Sequence, residues 1–139
     1  MALVCDTGII LAALDRRDAA HDRSLKLLAS VDEPRVVPAP VMVELDYWFH
    51  KYFGQRAMVA FLDDVANGAY DIEELMPQDY VRIRDLCDRY SDSEIGFVDA
   101  SVLAVVERLN EPKLATLDHR HFGLIRPRHV DALLLLPDG

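Results

Sequence analysis

The chain reads as an α/β fold in which a central, mostly parallel sheet is covered by helices on both faces. Three observations predict it. Short apolar runs of strand length alternate with longer segments of helical periodicity from Ala2 to Leu136. The chain has 139 residues, 51% of them apolar, with six Gly and seven Pro, which is enough for one real core and unlike a disordered or fibrous composition. No repeat, low-complexity tract or linker interrupts it, so residues 1–139 are read as a single domain.

Each element has its own signal. Residues 2–5 are an apolar run that stops at Asp6-Thr7-Gly8 and feeds a helix through Ile9, Ile10, Leu11 and Leu14. A second helix is expected over 19–30, with Asp18 as N-cap and Leu25 and Leu28 inward, before a short strand at 35–37. Pro40 suits the first turn of a third helix, whose apolar stripe is Val41, Leu45, Trp48 and Tyr52, with Glu44 beside it. Gly54 breaks that helix. Residues 55–65 resume it with Met58, Phe61, Leu62 and Val65, and Gly68 ends it before a strand at 70–75. Pro77 opens a helix to about Tyr90, a loop spans 91–96, and 97–109 is a largely buried helix. The strand at 113–117 ends at Asp118, a short turn follows at 119–123, and the last strand is 132–136.

Charge narrows the function classes. With 15 basic against 24 acidic side chains the net charge is −9, a field that repels phosphates and opposes nonspecific binding to membranes or nucleic acid. The apolar stretch from Gly8 to Leu14 is too short to span a bilayer and no basic residues precede it, so no export signal is expected. Cys5 and Cys87 lack Cys-x-x-Cys spacing and are expected as free thiols in a reducing cytoplasm.

Most acids sit among other charges. Four do not: Asp6 follows Leu3-Val4-Cys5, Glu44 is set among Val41, Met42, Val43 and Leu45, Asp99 among Phe97, Val98, Val102 and Leu103, and Asp118 ends Leu114 to Leu117. Partial burial of such groups is costly unless they are paired, hydrogen-bonded or metal-bound. Asp6 and Asp118 fall at carboxyl ends of strands, the edge where ligands bind in open parallel sheets, and Glu44 and Asp99 lie near helix starts that face the same rim. At an effective dielectric of ~20 and ~5 Å spacing, each like-charge pair costs roughly 3 kcal/mol, so four converging carboxylates bind protons or cations. All-oxygen ligation favours Mg²⁺ or Mn²⁺ over zinc. Taken singly each acid has a plainer reading: Asp6, Thr7 or Asp118 as a helix cap, Asp99 as a first-turn acid, and Glu44 reaching solvent from the edge of its stripe. One shared cause accounts for all four.

The motifs Val4-Cys5-Asp6-Thr7-Gly8, Pro38-Ala39-Pro40-Val41 leading to Glu44, Gly96-Phe97-Val98-Asp99-Ala100-Ser101 and Ala115-Thr116-Leu117-Asp118 with His121-Phe122 stand in an order that resembles PIN-domain ribonucleases, closely the VapC-type toxins of bacterial toxin-antitoxin pairs. The resemblance runs from Ala2 to about Pro137. It implies a PIN-like α/β/α sandwich and a metal-dependent endoribonuclease that hydrolyses RNA with a metal-activated water, leaving 5′-phosphate and 3′-hydroxyl ends. Asp6, Asp99 and Asp118 are then the principal metal ligands, Glu44 is a ligand or orients the water, and Thr7 orients a carboxylate or holds a water. Thr116 invites a similar reading. The cofactor is Mg²⁺, with Mn²⁺ a possible substitute. The partners implied are an RNA substrate, a cognate small antitoxin and a second copy in a homodimer.

Other residues bear on that reading. Asp92 and Glu94, in the loop before Asp99, are where many such proteins are more apolar, which would put an extra carboxylate near the metal, and Asp46 points away from Glu44 on a helix. Arg120, Arg126 and Arg128, in a stretch free of acids, are candidate RNA phosphate contacts, against pairing with surface carboxylates. His119-x-His121 without further Cys or His partners makes a poor zinc site. A dehalogenase-type phosphatase needs a second acid where Gly8 stands, and a receiver domain needs an acidic pair at Asp6. A non-cleaving PIN-like module and a housekeeping nuclease outside a toxin-antitoxin pair are the remaining alternatives. The stretch around Trp48, Tyr52 and Phe53 is too aromatic for one buried face and is a candidate partner surface, with a partner's Arg or Lys among the four acids.

Overall fold

Leu3, Val4 and Cys5 are fully buried. Because successive strand residues point to opposite faces, both faces of this first strand, β1 (Leu3–Val4), are covered. A computed structural model describes residues 1–138. In it β1 pairs in parallel with β2 (Arg35–Pro38), Val4 opposite Val36, and β2 pairs in parallel with β3 (Asp71–Glu73). On the other side of β1, a parallel bridge from Cys5 to Ala115 joins β4 (Lys113–Ala115), which pairs in parallel with β5 (Leu134–Leu136). The strand order is therefore β3-β2-β1-β4-β5. The sheet is parallel throughout, beyond the mostly parallel arrangement expected.

Between the strands lie α1 (Thr7–Leu14), α2 (His21–Ser30), α3 (Ala39–Tyr52), α4 (Gln55–Ala66), α5 (Pro77–Arg89), α6 (Phe97–Arg108) and α7 (His119–Leu124). Asp6 caps α1 by accepting from Thr7 N–H, Pro40 sits in the first turn of α3 and Pro77 opens α5. Gly54 (φ 85°) separates α3 from α4 and Gly68 (φ 87°) follows α4, left-handed positions that favour glycine. Helices pack in consecutive pairs, α1 with α2, α3 with α4 and α5 with α6. The core fills from Ile9, Ile10, Leu45, Phe49, Leu86, Leu103 and Phe122. Both cysteines are free thiols, and burial pushes the Cys5 thiol up to about 12.

Several inward assignments move by one helical position. Leu25 is 47% exposed, and the fully buried Ser24 faces inward on α2 beside Leu28, letting the pair α1/α2 approach closely. The buried stripe of α3 is Val41, Leu45 and Phe49, while Tyr52 is exposed, because Phe49 meets Phe61 of α4 at 5.6 Å between ring centroids. Leu62 is exposed on α4. Asp18 accepts from Ala20 N–H one turn before α2 begins at His21, so it caps the approach and not the helix proper. No helix among the described residues is long and apolar enough to cross a membrane.

Candidate metal centre

The chain moves from β1 outward through β2 to β3 and then crosses back to β4 and β5, so the strand order reverses between β1 and β4. At such a switch point the loops leaving two adjacent strands part and open a crevice beyond their carboxyl ends. Asp6 leaves β1 there and Asp118 lies three residues beyond β4. Asp6 N–H donates to Ala115 O at 2.9 Å, which fixes the two strand ends side by side.

The cleft at this point has a volume of about 460 Å³ and is lined by all four singled-out acids, Asp6, Glu44, Asp99 and Asp118, with Thr7 and Trp48. Glu44 arrives from the second turn of α3 and Asp99 from the first turn of α6. Asp92 and Glu94 are exposed and outside this lining, as is Asp46.

Two threonines organise the acids. Thr7 Oγ1 donates to Glu44 Oε1 at 2.6 Å, joining α1 to α3. The fully buried Thr116 donates from Oγ1 to Asp6 Oδ2 at 2.9 Å and accepts from Asp118 N–H at 3.0 Å, so one hydroxyl holds both strand ends. Asp6 Oδ1 accepts from Thr7 N–H at 2.8 Å. Asp118 caps α7: Oδ1 accepts from His121 N–H at 3.0 Å, and Oδ2 lies 2.8 Å from His121 Nδ1.

Electrostatics follow from burial and crowding. Asp6 is 6% exposed, and its carboxyl is pushed up to about 7, chiefly by burial and further by Asp99 and Glu44, against the lowering effect of its hydrogen bonds from Thr7 and Thr116. Burial, then Asp118 and Glu44, raise Asp99 to about 6, with His121 acting in the opposite sense. No Lys or Arg is among the described residues lining the cleft. Oxygen donors that crowd one another and lack a cationic partner fit a divalent ion: the ion restores the charge balance that the protein leaves open.

The three arginines proposed from the sequence divide. Arg126 and Arg128 use their backbone N–H groups to bond Tyr90 Oη and Glu107, and the Arg128 guanidinium reaches Asp85 at 3.3 Å. Arg120 is exposed on α7. The residue that reading by zinc templates passed over is His121. One ligand atom from each of Asp99, Asp118 and His121 lie within 4.8 Å of one another. The Asp118-x-x-His121 spacing, which puts two donors on one face of a helix, was the signal for it.

The profile of the PIN domain family matches residues 3–126. The chain belongs to the PIN domain family. Among individual proteins it is 29% identical over 125 residues to Ribonuclease VapC26 of Mycobacterium tuberculosis, a match covering 90% of this chain and 93% of that one. The crystal structure of Mycobacterium tuberculosis VapC20, described as a Sarcin-Ricin loop cleaving toxin, superposes with a TM-score of 0.77 at 21% identity, covering 93% of this chain and 98% of that one. VapBC2 from Rickettsia felis, bound to a DNA fragment from its promoter, gives a TM-score of 0.69 at 20% identity with 97% of both chains covered. The PIN fold and the parallel sheet expected from the sequence are thus shared with these structures.

Proposed function

We propose that this PIN protein is a Mg²⁺-dependent endoribonuclease, with Mn²⁺ able to substitute, and the toxin of a type II toxin-antitoxin pair. The observation that carries the reading is the convergence of Asp6, Glu44, Asp99 and Asp118 in one cleft at the switch point of a PIN fold, with no Lys or Arg among the described residues that line it. The similarity to a protein named as a ribonuclease, and the fold shared with toxin-antitoxin complexes, support it.

When bound, the divalent ion supplies Lewis-acid charge that favours a nucleophilic water and offsets charge on the phosphate oxygens. Asp6, Asp99 and Asp118 hold it. Glu44, its carboxylate fixed by Thr7, is a further ligand or orients the attacking water. Thr116 keeps Asp6 and Asp118 in register. Arg120, exposed on α7 two residues after Asp118, contacts an RNA phosphate beside the acids, and Arg126 and Arg128 contact phosphates farther out, which offsets the repulsion of a chain with net charge −9. The products carry 5′-phosphate and 3′-hydroxyl ends.

The chain works as one PIN domain over 1–139 in the cytoplasm and pairs with a second copy through the exposed Val43, Tyr80 and Phe97, which line an apolar hollow of about 410 Å³. A small antitoxin covers the exposed Tyr52 and the neighbouring Trp48, and inhibits by placing an Arg or Lys among the four acids.

The test is expression in a bacterial host, alone and with the small open reading frame immediately upstream of its gene. The account expects growth arrest relieved by the upstream protein and a complex on size exclusion. Arrest unrelieved by that protein, with no complex formed, would refute the toxin assignment and leave a housekeeping nuclease.

A further inference from the structure

We infer that His121 is a direct ligand of the divalent ion, which makes the centre a mixed nitrogen and oxygen site that favours first-row transition ions such as Mn²⁺ over Mg²⁺. The inference rests on the metal-dependent reading above and deepens it by placing Mn²⁺ before Mg²⁺ at the same site. Among the described residues, Asp99, Asp118 and His121 are the three donors whose ligand atoms already lie within 4.8 Å of one another, close enough to share one cation. Asp6, buried deeper, is outside that triplet.

The local chain explains the geometry. Asp118 is the N-cap of α7 and His121 lies three residues on, so both side chains stand on one face of the first turn. Carboxylate-x-x-His pairs at this spacing carry metal ions in helical bundles for the same reason. The Asp118 carboxylate is held twice, by His121 N–H at 3.0 Å and beside His121 Nδ1 at 2.8 Å. With the proton on Nε2, the Nδ1 lone pair and Asp118 Oδ2 face each other at 2.8 Å, close to the separation of two ligand atoms on one ion. His121 is neither sealed in the core nor free in solvent: its side chain is 24% exposed, beside an Asp118 that is 36% exposed and lines the cleft.

The consequence is selectivity. Mg²⁺ demands oxygen donors in a near-ideal octahedron and parts reluctantly with water, whereas imidazole suits the transition ions. An all-carboxylate centre has no such bias. His121 introduces it without a cysteine or a second histidine, so the site is not the zinc site that His119-x-His121 suggests. His119 turns elsewhere, its Nε2 lying 3.0 Å from Thr116 O.

The experiment loads the intact protein with Mn²⁺ in the absence of RNA and records pulsed electron paramagnetic resonance, alongside titration calorimetry with Mn²⁺ and Mg²⁺. The wild type is expected to show coupling to an imidazole nitrogen. H121Q, checked for folding by circular dichroism, is expected to lose that coupling and about tenfold or more in Mn²⁺ affinity, with a much smaller change for Mg²⁺. Mn²⁺ bound without nitrogen coupling in the wild type overturns the inference even if the variant misfolds. An unchanged Mn²⁺ to Mg²⁺ ratio in H121Q also overturns it, reducing His121 to a hydrogen-bond partner of Asp118 and leaving the nuclease reading intact. Failure of both ions to bind refutes both readings.

Discussion

Replacing Asp6 by Asn stabilises the metal-free protein at alkaline pH while removing a metal ligand, and the size of the effect follows from the site. The Asp6 carboxyl is raised from 3.8 to about 7, first by burial. The sign follows from linkage: an acid whose pKa is higher in the folded state holds its proton more tightly there. Stability is therefore greatest below the unfolded value, falls as pH rises from about 4, and levels off above about 7. About three units at ~1.4 kcal/mol each make the cost of the ionised group roughly 4 kcal/mol. Asn has nearly the same shape and no charge at any pH. Its carbonyl still accepts from Thr7 N–H, but its NH₂ meets Thr116 Oγ1, which already accepts from Asp118 N–H and now loses its own acceptor, at a cost of ~1–2 kcal/mol. The net gain is about 2 kcal/mol, or roughly 6 °C in melting temperature for a chain of this length. Thermal unfolding followed by circular dichroism in chelator near pH 8 measures it. Near pH 5, where native Asp6 is protonated, the gap closes; near pH 8, Mg²⁺ added without chelator raises the melting temperature of the wild type more than that of the variant. A variant less stable than wild type near pH 8, or a gap unchanged near pH 5, would refute the reasoning.

Other substitutions test separate parts of the structure. D99N deletes one ligand charge and little volume, so folding by circular dichroism stays intact while RNA cleavage falls about 100-fold or more; activity near wild type would make Asp99 structural only. T116V removes a buried hydroxyl that donates to Asp6 and accepts from Asp118 N–H, which costs roughly 2 kcal/mol in urea unfolding and shifts the pH at which Mg²⁺ binds upward. In the wild type, Mg²⁺ affinity by calorimetry rises through pH 6 to 7, because protons leave Asp99 at about 6 and Asp6 at about 7. Away from the cleft, Arg82 pairs with Glu107 through Nε at 2.8 Å and Nη2 at 2.9 Å, with both side chains nearly buried. R82A strands that carboxylate and lowers stability by about 3 kcal/mol with metal affinity unchanged.

What the sequence discloses about this protein depends on how local the determinant is. Asp6 and Asp118 are legible because each ends an apolar run, and the strand-end rule then puts them on one rim whatever the details of the sheet. Glu44 and Asp99 are legible because a lone acid in an apolar helical stretch needs a partner. The inward face of α3 was not, since Trp48 and Phe49 both fit helical spacing after Val41 and Leu45. Only the packing of Phe49 on Phe61 from α4 chooses between them. Leu25 and Ser24 pose the same problem on α2, where close approach to α1 favours the smaller side chain. The pairing of Arg82 with Glu107 joins residues 25 apart in sequence and has no local signature. The distance from Thr116 to Asp6 is greater still, 110 residues, yet their contact follows from the adjacency of β1 and β4. His121 lay within reach of sequence reasoning, but the zinc templates applied to it count only His and Cys, and its neighbours are Asp118 and Asp99.

The central claim is that the four carboxylates at the switch point act through a divalent cation to cut RNA. Its most direct test is incubation of the purified protein with structured RNA in Mg²⁺ or Mn²⁺, with and without excess chelator, reading the lengths and end groups of the fragments. The account predicts defined internal cuts with 5′-phosphate ends that cease in chelator and return when the ion is restored. Equal cleavage in excess EDTA would contradict it.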